Sequence, residues 1–176
     1  TYQSVAAAHP GNAQATLALA QAWQARGRIP EATHVYTQTL AMNPGTAAAY
    51  GGLAEVYIDQ ARYKEAHRML HKALDLDRLD VVATIRLGDV EQRTGNVEEA
   101  LKWYEQAAEL SPPGHPSNKT LLVALIGSGH YDLALRFASD SLAVRPDDTD
   151  MMLQLAQVYR ATGRLDEAQA AAMKAV

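Results

Sequence analysis

The sequence predicts an all-α protein built from antiparallel helix pairs, and three observations support this fold class. The apolar residues are mainly Ala and Leu, with a single Phe, and this composition favours helices packed closely through small side chains. The sequence repeats itself at a period of about 34 residues without insertion or deletion. Glycine and proline recur about once per period, at positions where helices end.

Composition and charge restrict the classes of function. With 48% hydrophobic and 20% charged residues, the 176-residue chain has the balance of a globular protein. Its net charge of −4 comes from 16 basic and 20 acidic side chains scattered along the chain, so nucleic acid is not an expected partner. No apolar stretch approaches the roughly 20 residues of a membrane span, and no targeting signal is visible, so we expect no membrane insertion. The lack of cysteine excludes disulfides and thiolate chemistry but leaves both cytoplasm and periplasm open as compartments.

Four columns of residues fall in register at this period. Their agreement matters because alanine alone is too abundant in the chain to establish a repeat. Two columns are apolar, one is a glycine column with Ala61 as its exception, and one is a proline column with Arg78 as its exception. The members are Ala32, Ala66, Ala100, Ala134 and Ala168; Leu19, Leu53, Leu87, Leu121 and Leu155; Gly27, Gly95, Gly129 and Gly163; and Pro10, Pro44, Pro112 and Pro146.

Each period reads as two helices joined by a tight turn. Apolar residues recur at helical spacing both before and after the glycine column. The glycine therefore lies where the first helix ends, and it supplies the left-handed conformation of a C-terminal cap. Acidic residues then open the second helix, where they complement the helix dipole. These acidic residues are Glu31, Glu65, Glu98, Glu99, Asp132, Asp166 and Glu167.

The third period carries a resemblance to a known family. Its pattern resembles the tetratricopeptide repeat, with two departures in its first half: Glu91 stands where an aromatic residue is usual, and Thr84 stands where Trp or Tyr is usual. The residues that carry the resemblance are Gly95, Glu98, Glu99, Ala100, Leu101, Tyr104, Ala107 and Pro112.

The resemblance implies a right-handed α-solenoid that occupies residues 1–176 as a single fragment. We expect residues 1–12 to be the tail of a preceding repeat and the last repeat to be truncated, so that the fragment should belong to a longer chain. As a separate expectation, the chain works within a multiprotein complex. The implied repeats are 13–46, 47–80, 81–114, 115–148 and 149–176.

The fourth repeat is irregular in two ways. Pro112, Pro113 and Pro116 precede its first helix and should shorten the start of that helix. Leu122 stands where the sister repeats have Ala or Gly, at a position where the two helices of a hairpin approach each other. The larger side chain predicts either splayed helices or a different placement of Leu122.

No residue pattern in the chain indicates catalysis, so we expect a protein that is not an enzyme and needs no cofactor. His67 and His71 have a spacing that can hold a metal ion, but no third ligand is evident and we interpret them as part of an ordinary helix surface. Neighbouring carboxylates such as Glu98 and Glu99 point in different directions on a helix, and the helix dipole explains them better than acid–base chemistry. We therefore predict no catalytic residue and no metal site.

The resemblance places the binding surface on the first helices, which line the concave side of tetratricopeptide arrays. We expect Gly52, which lacks a side chain, to let the backbone of a partner approach, while Glu55, Arg86 and Asp89 fix the polarity of that partner through charge. Two known binding patterns of this family are absent. One is the set of Lys, Asn and Arg residues with which co-chaperones bind acidic C-terminal tails, and the other is a ladder of asparagines at the sixth position of each repeat. The predicted groove residues are Leu17, Gln21, Gly52, Glu55, Ile58, Ile85, Arg86, Asp89 and Gln92.

The resulting functional hypothesis is a non-catalytic scaffold that binds a partner protein or an extended peptide in its concave groove. The alanine-rich, cysteine-free repeats are similar to those of bacterial envelope and pilus-assembly proteins, which favours a bacterial assembly or secretion system. The alternative is a substrate-recruiting arm of a larger enzyme, such as a glycosyltransferase, whose catalytic domain lies elsewhere in the protein.

Overall fold

The computed structural model describes residues 12–175, and all of its regular elements in that range are α-helices. Residues 1–11, which hold most of the predicted tail of a preceding repeat, lie outside the described residues. The helices are α1 (Ala13–Ala25), α2 (Ile29–Met42), α3 (Ala47–Asp59), α4 (Tyr63–Leu76), α5 (Val81–Thr94), α6 (Val97–Leu110), α7 (Asn118–Ser128), α8 (Tyr131–Val144), α9 (Thr149–Ala161) and α10 (Leu165–Lys174).

The chain forms two compact units, Thr1–Arg86 and Leu87–Val176, and their boundary falls within α5. In the described part of the first unit, α1 pairs with α2, α3 pairs with α4, and α2 also packs on α3. In the second unit α7 contacts α6 and α8, while α9 contacts α8 and α10. Short connections make consecutive helices antiparallel, so each unit consists of helical hairpins, as the sequence predicts.

The alanine column forms the tight contacts inside these hairpins. Ala32, Ala66, Ala100 and Ala134 are fully buried, and Ala168 is 5% exposed. A methyl group at these positions lets two helix backbones approach closely. In the first unit, larger side chains such as Tyr36, Leu53 and Val56 complete the core around this contact.

The glycine column adopts the left-handed conformation that the sequence predicts. Gly95 has a φ of 88°, and Gly27, Gly129 and Gly163 also have positive φ values. Ala61, the exception in the column, follows the same backbone path with a φ of 55°. The turn geometry is therefore common to all five hairpins, and alanine adopts it at a cost of about 1–2 kcal/mol.

A side-chain contact repeated at the hairpin turn explains how the departure at Glu91 is accommodated. In the second repeat the Arg62 guanidinium lies 4.6 Å from the centre of the Tyr57 ring and donates to Glu65 Oε1 at 2.7 Å. That hydrogen bond lowers the pKa of Glu65. In the third repeat the same two turn positions hold Glu91 and Asn96, and Asn96 Nδ2 donates to Glu91 Oε2 at 2.6 Å. A hydrogen bond thus replaces the stacked pair.

The segment before α7 is irregular but well ordered by hydrogen bonds. The first helix of the fourth repeat begins only at Asn118, because the prolines before it cannot join a helix interior. Ser111 Oγ donates to Asn118 Oδ1 at 2.5 Å, and Asn118 Nδ2 donates to the Pro112 carbonyl at 3.2 Å. Ser111, Ser117 and Asn118 are all buried. This segment is therefore a buried, hydrogen-bonded part of the second unit.

Leu122 is accommodated by an exchange of side-chain sizes. In the α5–α6 hairpin, a Cβ added at Gly88 would overlap the Tyr104 ring, so a small and a large residue face each other there. The corresponding residues in α7 and α8 are Leu122 and Ala138, and both are fully buried. The large side chain has moved to the other helix of the pair, which conserves the total volume.

Candidate partner-binding surface

Three first helices bring polar side chains of the first unit into one hydrogen-bonded line. Gln24 Nε2 on α1 donates to Glu55 Oε2 on α3 at 3.1 Å. Arg86 Nη2 on α5 donates to Glu55 Oε1 at 2.8 Å. Each step of the line spans 31 residues, which is one period less about one helical turn, so the line runs diagonally across the helices. We call Gln24, Glu55 and Arg86 the polar line.

Tyr36 of α2 holds the Gln24 end of the polar line from the buried side. Its hydroxyl donates to Gln24 Oε1 at 3.0 Å, and its side chain is 1% exposed. Burial, together with the nearby negative charge of Glu55, raises the pKa of Tyr36 to about 12. The phenol is therefore neutral at pH 7 and acts as a donor that fixes the Gln24 amide.

Tyr36 also fills the space beside Gly52, which corrects the expected role of Gly52. A Cβ built on Gly52 would overlap the Tyr36 ring, whereas a Cβ on Gly51 would meet nothing within 4 Å. The missing side chain at Gly52 thus admits an aromatic ring of this chain. The room expected for the backbone of a partner is already filled.

Two other predicted groove residues lie in the core. Ile58 is 7% exposed and Ile85 is fully buried, because each side chain packs among neighbouring helices. Neither offers a side-chain surface in this structure, contrary to the sequence prediction. Leu17 is partly buried against the first-unit core, and Gln21 is exposed.

The remaining predicted residues, Asp89 and Gln92, belong to the second unit. Asp89 Oδ1 accepts a hydrogen bond from the Tyr104 hydroxyl at 2.9 Å. Burial and the charge of Asp89 raise the pKa of Tyr104 well above its ordinary range. Gln92 is half-buried, and its Oε1 atom is buried without a hydrogen-bond partner.

The second unit also contains a polar cavity of about 410 Å³ that sequence reasoning did not identify. His115 and Asn118 of the irregular segment line it on one side. The other lining residues include the charged Lys119, Arg145, Asp148 and Asp150, and Gln154. Gln154 is 7% exposed, and its Oε1 atom is buried without a hydrogen-bond partner. Gln154 lies on α9, the first helix of the fifth repeat, and only the path of the proline-rich segment reveals that a cavity lies beside it.

Side chains with metal-binding chemistry do not converge into a larger cluster within the described residues. The Nε2 atoms of His67 and His71 on α4 lie 3.2 Å apart. Across residues 12–175, no group of three or more His, Cys, Asp or Glu side chains has a geometry that would hold a metal ion. In the same range, every helix is too short or too polar to span a bilayer.

Comparison with known families decides the family of this chain. One tetratricopeptide repeat model matches residues 25–71 and 125–175, a second matches residues 52–115, and a third matches residues 13–33. The chain belongs to the tetratricopeptide repeat family. The predicted resemblance is thus confirmed, and so is the all-α solenoid class.

A curated relative resembles the chain over most of the chain's length. The chain is 25% identical over 142 residues to the BBSome complex member BBS4 of Bos taurus, an alignment that covers 81% of this chain and 27% of that protein. The chain thus spans about a quarter of the length of this curated relative.

Two solved structures of tetratricopeptide repeat proteins show the same fold. A protein of Thermus thermophilus, TTC0263, aligns with a TM-score of 0.66 at 24% identity, and the alignment covers 93% of this chain and 89% of that protein. YrrB, described as having an unusual peptide-binding site, aligns with a TM-score of 0.61 at 22% identity, and the alignment covers 99% of this chain and 90% of that protein.

Proposed function

We propose that this chain is a non-catalytic tetratricopeptide repeat module that holds a segment of a partner protein on the first-helix face of its first unit. The observation that carries the proposal is the polar line of Gln24, Glu55 and Arg86. Three successive first helices present linked hydrogen-bonding groups along one track. The Arg86 and Glu55 side chains keep 32% and 43% of their surface exposed, so a partner reaches both.

The polar line suits this role because its side chains are held in place before a partner arrives. Binding an extended segment costs conformational entropy for each side chain that must be ordered. Here Glu55 is fixed from both sides, and Gln24 is fixed by the Tyr36 hydroxyl. A guanidinium is a charged donor suited to a carboxylate or a carbonyl of a partner, and a carboxylate such as that of Glu55 accepts from N–H donors.

The proposed contact residues follow from what the structure leaves accessible. Gln21, Glu55 and Arg86 provide polar contacts, and the half-buried Leu17 provides an apolar one. Asp89 and Gln92, which belong to the second unit, remain proposed contact residues of that unit taken by itself. Gly52, Ile58 and Ile85 support the surface from within, since they pack against other helices.

The proposal extends to the setting in which the module works. A partner in a bacterial assembly or secretion system is supported by the alanine-rich, cysteine-free composition. Membership of BBS4 in the BBSome complex supports an assembly of several proteins, and the peptide-binding site named for YrrB supports a peptide-like ligand. Family membership supports a non-catalytic role.

Selection from a random peptide library, followed by affinity measurement, tests this proposal. Peptides are selected on the wild-type chain, and Kd is measured by fluorescence anisotropy for wild type, Arg86→Ala and Arg68→Ala. Loss of a charge-assisted hydrogen bond should weaken binding about tenfold or more in Arg86→Ala. Arg68, an exposed residue of α4, is the matched control and should leave Kd unchanged. Equal affinities for both variants, with folding confirmed by circular dichroism, would reject the polar line as the binding site.

A further inference from the structure

The second unit contains a groove between its second helices α6 and α8 that the proposed function does not use. The groove has a volume of about 540 Å³. Leu133 and Phe137 of α8 lie at its floor and are 6% and 7% exposed. Val144 at its edge is 69% exposed, so apolar surface reaches from the core to solvent here.

A single small residue explains why the groove is open. Ala108 of α6 lines it, and the equivalent residues of the other complete repeats are Leu40, Leu74 and Leu142. Leu40 packs against the core of its own unit. Replacement of leucine by alanine removes three carbon atoms, so the third repeat leaves a space that its sisters fill.

Charged residues along the groove are mainly acidic. Glu105 and Glu109 of α6 and Asp140 of α8 line it, together with one cation, Arg136. Arg136 Nη2 lies 3.8 Å from Glu105 Oε1 and pairs across the groove with it. Glu109 and Asp140 therefore leave a negative excess beside the apolar floor, and an acidic partner would meet like charge there.

We propose that this groove docks a basic amphipathic segment of a partner protein. An apolar side chain of that segment enters the space left by Ala108 and contacts Phe137. Lys or Arg residues one helical turn away pair with Glu109 and Asp140. The groove is a second surface, distinct in its residues from the polar line, so the two proposals fail or succeed independently.

Filling the groove without changing its charge gives the sharpest test. The probe is a fluorescein-labelled helical peptide of about 18 residues made of Leu and Lys in an amphipathic pattern, and a Leu and Glu peptide of the same pattern is its charge control. Ala108→Leu restores the residue of the sister repeats, and Ala143→Leu on the exposed side of α8 is the matched control. We expect Ala108→Leu to raise the Kd of the Leu/Lys peptide about tenfold. Ala143→Leu should bind that peptide with the wild-type Kd.

Two further variants cover the case in which Ala108→Leu does not fold. Val144→Ser changes only an exposed side chain and should weaken binding several-fold, and the double variant Glu109→Gln/Asp140→Asn should weaken binding and reduce its dependence on salt. Unchanged affinity in a folded Ala108→Leu, or equal binding of the Leu/Glu peptide, would overturn the proposal. So would dimerisation of the chain itself, seen by analytical ultracentrifugation and abolished by Ala108→Leu, because a second copy would then be the occupant.

Discussion

The same repeat position is used in opposite ways by the two units. In the first unit it holds Gly52, whose space is filled by the Tyr36 ring, and Arg86, which is bonded to Glu55. In the second unit it holds Gln154, which lies beside an open cavity with an unpartnered buried oxygen. An orphaned buried acceptor costs about 1–3 kcal/mol, whereas a satisfied one contributes stability. The difference shows that the same position in the repeat can be fully packed and hydrogen-bonded or can border a cavity. The side chains that the neighbouring helices supply decide which of these occurs.

The largest effect is expected from the two adjacent glycines of α3. Gly52→Ala should destabilise the first unit by about 1–3 kcal/mol, because the new methyl group overlaps the buried Tyr36 ring. Gly51→Ala, its matched control, meets open space and should stabilise the helix by about 0.5–1 kcal/mol. Urea unfolding of both variants measures this, and a similar loss in both would mean that Tyr36 does not occupy the space beside Gly52.

Replacing a buried glutamine by leucine is expected to change the free energy of unfolding by a smaller amount, and in opposite directions in the two units. Gln24→Leu removes both the acceptor for Tyr36 and the donor to Glu55, and should cost about 1 kcal/mol or more. Gln154→Leu removes an unsatisfied buried oxygen and should stabilise by about 1 kcal/mol. Denaturant midpoints of the two variants compare them directly. Destabilisation by Gln154→Leu would contradict this prediction and would show that the Gln154 amide makes a stabilising hydrogen bond.

The sequence predicts the parts of the fold that the backbone alone determines. The positive φ of the glycine column and the burial of the alanine column follow from helix geometry repeated in every hairpin. Even Ala61 adopts the turn conformation, because the path of the chain is imposed by its neighbours.

The candidate surface was less predictable because it depends on side chains from other repeats. Family position shows which face of α3 Gly52 occupies, but the ring that fills its space comes from Tyr36 of the preceding repeat. Ile58 and Ile85 were also expected at the surface because of their family position on the first helices. In the structure, packing of adjacent helices buries them. The cavity beside Gln154 depends on the path of a proline-rich segment, which no periodicity describes.

The most direct test of the central claim is a map of where a selected peptide contacts the chain. Backbone amide shifts in ¹H–¹⁵N NMR spectra are recorded with and without the peptide obtained from library selection. We predict the largest shifts at Gln21, Gln24, Glu55 and Arg86, since the polar line holds the peptide. Shifts confined to the α6–α8 groove, or spread evenly over the chain, would contradict binding on the first-helix face.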